Sequence, residues 1–182
     1  MKRICVYCGS SPGNQPVYVQ SAQSLGANLA ARSIGLVYGG ASVGLMGKIA
    51  DAVLENGGEV IGVIPGSLKD REIAHHGLTE LKIVDSMHER KEAMAQLSDG
   101  FIALPGGFGT LEEMFEALTW NQLAIQDKPC GLLNINGYYD ALCQFLDHSL
   151  NQGFIKPHHR SLLITHKEPD HLIDDMLKST HS

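Results

Sequence analysis

The sequence predicts an α/β fold, a doubly wound parallel sheet with helices on both faces, formed by residues 1–182 as a single domain. Three observations predict it. First, short runs that are apolar throughout, such as Gly100-Phe101-Ile102-Ala103-Leu104, alternate with longer runs of helical periodicity. Uniformly apolar strands belong to parallel sheets covered on both faces. Second, glycine-rich loops follow three of these strands, after Cys8, Tyr38 and Leu104. Rossmann-like sheets bind ligands at strand C-termini near a switch in strand order, so the three loops can converge on one crevice. Third, 182 residues with 43% hydrophobic and 19% charged content suit one globular domain with an adequate core.

The elements follow in order. Residues 3–7 read as the first strand, 9–13 as a loop and 17–32 as a helix. A strand at 36–38 leads into Gly39-Gly40-Ala41-Ser42-Val43-Gly44, then a helix to about residue 55 with Leu45, Ile49, Ala52 and Val53 inward. Asn56-Gly57-Gly58 stops that helix. Residues 59–64 form a strand ended by Pro65-Gly66, and 69–77 a polar loop with a short helical turn. A strand at 81–84 precedes a helix at 87–97, and the central strand at 100–104 precedes a helix from Leu111. The rest reads as a strand at 130–133, a helix at 139–151, a strand at 162–165 and a helix at 169–177.

Composition narrows the function. A formal net charge of -6 argues against general nucleic-acid binding. An anionic ligand would have to be drawn by a local basic group. No stretch approaches a membrane span, and the first apolar run stops at Gly9, too short for a signal peptide. Cys5-x-x-Cys8 has no second such pair, so Cys5, Cys8, Cys130 and Cys143 read as inert thiols of a cytoplasmic protein. His75-His76 and His158-His159 are adjacent pairs that point apart on any regular element. They read as surface histidines, with no metal and no cofactor expected.

The chemistry concentrates in Leu104-Pro105-Gly106-Gly107-Phe108-Gly109-Thr110-Leu111-Glu112-Glu113, a glycine-rich turn between a strand end and a helix start. Its glycines let backbone approach a ligand, and the free N–H groups of the following helix suit a phosphate. Thr110 and Glu113 also have capping-box spacing. Glu112 falls where a dinucleotide fingerprint needs its third glycine, and no Walker lysine follows any loop. Candidate phosphate-crevice positions are therefore Gly9, Ser10, Gly40, Gly44, Gly107, Phe108, Gly109, Thr110 and Leu111. Arg90 and Lys91 fall on the stripe of their helix that carries Met94 and Leu97. They either pair with a buried carboxylate or reach the crevice to meet an anion. Glu112 and Glu113 are both candidate carboxylates, and spacing does not choose between them.

P-G-G-x-G-T-x-x-E resembles the signature of the Lonely Guy (LOG) family of cytokinin-activating phosphoribohydrolases, often mislabelled lysine decarboxylases. The resemblance extends to Cys8-Gly9-Ser10-Ser11, Tyr38-Gly39-Gly40, Gly44-Leu45-Met46-Gly47, Met87-His88-Glu89-Arg90-Lys91 and Thr119-Trp120-Asn121-Gln122-Leu123, but not beyond about Pro157. It implies hydrolysis of a purine riboside 5'-monophosphate, of cytokinin type or AMP, to free base and ribose 5-phosphate. It assigns catalysis to Arg90 and Glu113, and substrate binding to Glu72, Lys91, Glu112 and Thr119. The rival reading is a non-catalytic carrier of a phosphorylated ligand, as some related proteins are for molybdenum cofactor. A third, an NAD(P)-binding protein, is disfavoured by the broken fingerprint. The helix from Leu111 is expected to bury Leu111, Met114, Phe115 and Leu118, with Trp120 and Leu123 opposite. A homodimer bordering the active site is the partner expected.

Overall fold

The computed structural model of the chain describes residues 1–68 and 73–179. Seven strands form one sheet in the order β4-β3-β2-β1-β5-β6-β7, every neighbouring pair parallel. They are β1 (Arg3–Tyr7), β2 (Gly35–Tyr38), β3 (Val60–Pro65), β4 (Glu80–Val84), β5 (Gly100–Ala103), β6 (Cys130–Leu133) and β7 (Leu163–His166). The helices are α1 (Pro16–Ala31), α2 (Gly44–Glu55), α3 (Met87–Leu97), α4 (Phe108–Gln122), α5 (Asp140–Asn151), the short α6 (Pro157–Arg160) and α7 (Pro169–Ser179). This is the doubly wound α/β arrangement that the apolar strands predict.

Strand alternation divides the core into two layers. Ile4, Val6, Leu36, Tyr38 and Ile102 point to the face covered by α1, α2 and α7. Cys5, Tyr7, Val37, Phe101 and Ala103 point to the face covered by α3, α4 and α5. There Tyr7 stacks on Phe101, ring centroids 5.9 Å apart. The β4 edge carries an exposed Lys82–Glu80 ion pair at 2.7 Å, and charge on an edge discourages further strand pairing.

Two expectations are corrected. First, α4 begins at Phe108 with Gly107 as its N-cap, so Thr110 lies inside the first turn and makes no capping box with Glu113. Thr110 is instead buried against Gly106. The serine-led box lies at α3, where the Ser86 hydroxyl accepts from Glu89 N–H at 3.2 Å and the Glu89 carboxylate accepts from Asp85 N–H at 3.0 Å. Second, the buried residues of α4 are Thr110, Met114 and Ala117. Leu111, Phe115 and Leu118 are only partly buried on one flank. Trp120 packs partly on the same core rather than opposite it. The C-terminal strand and helix expected from the sequence are present, and the helix belongs to the core. Leu172, Ile173 and Met176 of α7 are fully buried. Arg32 at the end of α1 pairs with Asp170 at 2.9 Å and Asp174 at 3.2 Å.

Leu172→Ala is accordingly expected to lower the unfolding free energy by about 2–5 kcal/mol. Urea denaturation measures it, and an unchanged midpoint would remove α7 from the core.

Candidate active site

From β1 the chain moves outward to β2, β3 and β4, then returns to start β5 on the other side of β1. The loops after β1 and β5 leave toward opposite edges, which opens a crevice at their C-terminal ends. One backbone bond ties these loops together, Gly9 N–H to the Pro105 carbonyl at 3.1 Å. A second, Leu45 N–H to the Gly9 carbonyl at 3.1 Å, brings in the start of α2. Gly44 packs on the Ser10 backbone with φ at +58°, a conformation and a closeness that only glycine tolerates. Gly9, Ser10, Pro105, Gly106, Gly107 and Tyr138 border a cavity of about 320 Å³. The three glycine-rich loops therefore do converge, as their strand-end positions predict.

The helices on the other face supply charge. Arg90, in the first turn of α3, is 6% exposed, and its Nη2 donates to the Gly39 carbonyl at 3.0 Å. A Cβ on Gly39 would collide with that guanidinium. Lys91 turns the other way. Its Nζ bridges Glu112 at 2.7 Å and Glu116 at 3.1 Å on α4. The Glu112 bond holds the Lys91 amine above its ordinary pKa, against partial desolvation. Of the two readings for this pair of cations, Lys91 thus takes the carboxylate-paired one.

Glu113 stands on the side of α4 that faces β1. Its influence there is legible in the thiols and phenols beneath it. Burial raises the Cys5 thiol well above its ordinary pKa, the Glu113 charge adds to the rise, and the Arg90 charge opposes it. Burial and then Glu113 also raise Cys8. Arg90 from α3 and Glu113 from α4 thus both act on one thiol of β1. Such thiols stay protonated, in keeping with inert cysteines.

Other candidates are more peripheral. Phe108 is 94% exposed on the first turn of α4. Gly109, Glu112 and Thr119 lie on the outward side of that helix, the Thr119 hydroxyl donating to Phe115 O at 2.7 Å. Gly40 accepts from His75 N–H at 2.9 Å, which docks the segment after residue 72 onto the β2 loop. His75 is not the surface histidine expected from sequence. Its ring is held between Asp51, at 2.9 Å, and Gly77 N–H, at 3.0 Å. Glu72 lies outside the described residues. Among the described residues no group of three or more His, Cys, Asp or Glu is placed to hold a metal ion.

Sequence reasoning missed Tyr138 and Tyr139. Their hydroxyls donate to Gly106 O and Leu104 O, each at 2.6 Å. The Tyr-Tyr pair directly after Asn136-Gly137 is the signal that could have found them, since a turn aims adjacent side chains at one target.

Comparison with known proteins identifies the family. Residues 46–176 match the family described as "Possible lysine decarboxylase". The chain is 54% identical to the cytokinin riboside 5'-monophosphate phosphoribohydrolase LOG1 of Arabidopsis thaliana, over 90% of this chain and 77% of that one. It is 51% identical to the "Probable cytokinin riboside 5'-monophosphate phosphoribohydrolase LOGL2" of Oryza sativa subsp. japonica, over 96% of this chain and 72% of that one. Among solved structures, the molybdenum cofactor carrier protein of Chlamydomonas reinhardtii matches with a TM-score of 0.74 at 22% identity, covering 100% of this chain and 99% of that one. That likeness shows a shared fold alone. Identity above half across nearly the whole length is a different matter, and by it the chain belongs to the LOG family of cytokinin riboside 5'-monophosphate phosphoribohydrolases.

Proposed function

We propose that this protein hydrolyses the N-glycosidic bond of a cytokinin-type riboside 5'-monophosphate, giving free base and ribose 5-phosphate, and that it accepts AMP as a simpler analogue. The observation that carries the reading is that Arg90 and Glu113, from two different helices, both act on the Cys5 thiol of β1, while Arg90 is hydrogen-bonded at the end of β2 and Glu113 follows a loop rich in N–H donors. A carrier of a phosphorylated ligand needs the cation and the loop. It has no need of a carboxylate at the reacting carbon.

In this reading the phosphate sits on the turn from Gly107 to Thr110, at the positive end of α4. Gly9, Ser10, Gly40 and Gly44 shape the crevice wall, and Lys91, Glu112 and Thr119 form the outer rim of the substrate site; Glu72 is proposed to bind substrate on the family resemblance alone. The C1'–N bond breaks with positive charge growing on the ribose ring. Glu113 stabilises that charge or takes a proton from the attacking water. The water oxygen bonds to C1' and one water proton ends on the departing base. Arg90, held by Gly39, orients the substrate. The unpaired cysteines suit a cytoplasmic setting.

A second copy of the chain completes the site in this proposal. Thr119 and Glu112 face outward on α4, so a substrate touching them would lie open to water. Leu123 is 59% exposed and Ile125 67% exposed at the end of the same helix. An open groove of about 640 Å³ runs beside them, walled by Lys91, Glu116 and Trp120. A symmetric partner covering this face buries the apolar groups and excludes water from the substrate together.

Three outcomes are expected. Base is released from the ribotide and not from the unphosphorylated riboside, followed by chromatography of free base; equal turnover of both would sink the reading. Glu113→Gln lowers turnover about a hundredfold or more with little change in ribotide binding. Near-normal turnover in that variant would leave Glu113 without a chemical role. Leu123→Glu, at an exposed position, yields a monomer of low activity by light scattering and turnover. A fully active monomer would separate the interface from the site.

A further inference from the structure

We propose that Tyr138 and Tyr139 are positioning residues of the phosphate loop: their hydroxyls hold the Gly106 and Leu104 carbonyls in hydrogen bonds, so that the loop offers its free N–H groups to the substrate phosphate. The proposal rests on the functional reading above.

Four consecutive carbonyls of the loop are each taken by a donor. Leu104 O accepts from Tyr139 OH at 2.6 Å and Gly106 O from Tyr138 OH at 2.6 Å. Between them Pro105 O accepts from Gly9 N–H at 3.1 Å, and beyond them Gly107 O accepts from Leu111 N–H at 3.2 Å. No peptide bond is cis. In a planar trans peptide the C=O and the following N–H point in opposite directions. Fixing the carbonyls of Pro105, Gly106 and Gly107 therefore fixes the N–H groups of Gly106, Gly107 and Phe108 toward the other side. None of these N–H groups has a partner among the described residues. Gly109 and Thr110 add the remaining free donors of the first helical turn.

The Gly106–Gly107 peptide is the weak point. It is flanked by two glycines, so rotation of the whole unit meets little steric resistance. A rotated unit would aim the Gly106 carbonyl at the phosphate and replace an attraction by a repulsion. The Tyr138 hydroxyl is the tether that opposes this. Its ring is itself held, edge to face, by Tyr139 at 4.9 Å and by Tyr18 at 5.9 Å. Both tyrosines leave a turn preset by Asn134, whose side chain accepts from Tyr139 N–H at 2.7 Å and donates to Asp140 at 2.7 Å. Tyr139 is buried, while Tyr138 is 44% exposed, so its hydroxyl is not needed to fill the core.

Tyr138→Phe tests this, because it keeps the stacked ring and removes only the tether. The expected result is a KM for ribotide raised about tenfold, the scale of one hydrogen bond's worth of binding, with kcat within about twofold and Tm unchanged. Calorimetric binding of inorganic phosphate should weaken by a similar factor. A merely structural hydroxyl would lower Tm and leave KM alone. Unchanged KM and phosphate affinity would overturn the proposal, as would a wild-type protein that binds no phosphate. A wild-type protein that binds phosphate yet cleaves no ribotide would overturn the functional reading only. Tyr139→Phe, in the core, should raise KM and lower Tm together; a fall in Tm with KM unchanged would overturn its share of the role.

Discussion

Everything at the site depends on β1 and β5 lying side by side as parallel neighbours while their loops depart in opposite directions. A parallel sheet sets every strand's C-terminal end, and hence the start of every following helix, on one side of the molecule. At the switch point no loop crosses the gap. Two backbones meet there instead, Gly9 on Pro105, and side chains would hold them apart. That is the physical reason for glycine at these strand ends. It is also why the first turns of α3 and α4, which carry Arg90 and the P-G-G-F-G turn, look onto the same space.

The charge arrangement follows from that geometry. A chain of net charge -6 can hold an anion only where local fields oppose its own. The N-terminal half of α4 carries three carboxylates, Glu112, Glu113 and Glu116, close to where the proposed phosphate would sit. Lys91 takes two of them, Glu112 and Glu116, into ion pairs. Their repulsion is thereby reduced, while Glu113 directs its charge toward β1. Read this way, Lys91 assists anion binding without leaving α4, and Arg90 lies buried on the Gly39 carbonyl.

Legibility in the sequence followed the range of the interactions. Elements set by local pattern are recovered closely: β1, β6 and α3 have their expected bounds, because apolar runs and the S-x-x-E start act within a few residues. The start of α4 is misread by three residues for a reason of the same kind. T-x-x-E reads as a local cap, yet a contact with Gly106 draws Thr110 into the helix and lets Gly107 begin it. Trp120 packs partly on the core because the sheet accepts Thr110, Met114 and Ala117 rather than the more apolar Leu111, Phe115 and Leu118 as the innermost residues. Glycine loops and their convergence were legible from strand ends alone. The partners of Arg90, Lys91, Tyr138 and Tyr139 were not, since Gly39, Glu112, Gly106 and Leu104 lie far from them in sequence. The role of α7 was hidden similarly, its apolar side being meaningful only against α1 and β6.

The likeness to molybdenum cofactor carrier proteins sharpens what the fold does and does not decide. A switch-point crevice with a glycine-rich floor is a general device for holding a phosphorylated molecule, whereas the likeness at 22% identity shows the fold alone. Turning such a holder into a hydrolase requires a group whose interaction grows as the bond breaks. A carboxylate facing a developing oxocarbenium ion has that property, whereas N–H groups on a phosphate bind ground state and transition state nearly alike. In the proposed reaction the backbone loop and its tyrosine tethers therefore belong to recognition. The proposed difference between holding and cleaving rests on Glu113, with Arg90 kept in place by its bond to the Gly39 carbonyl.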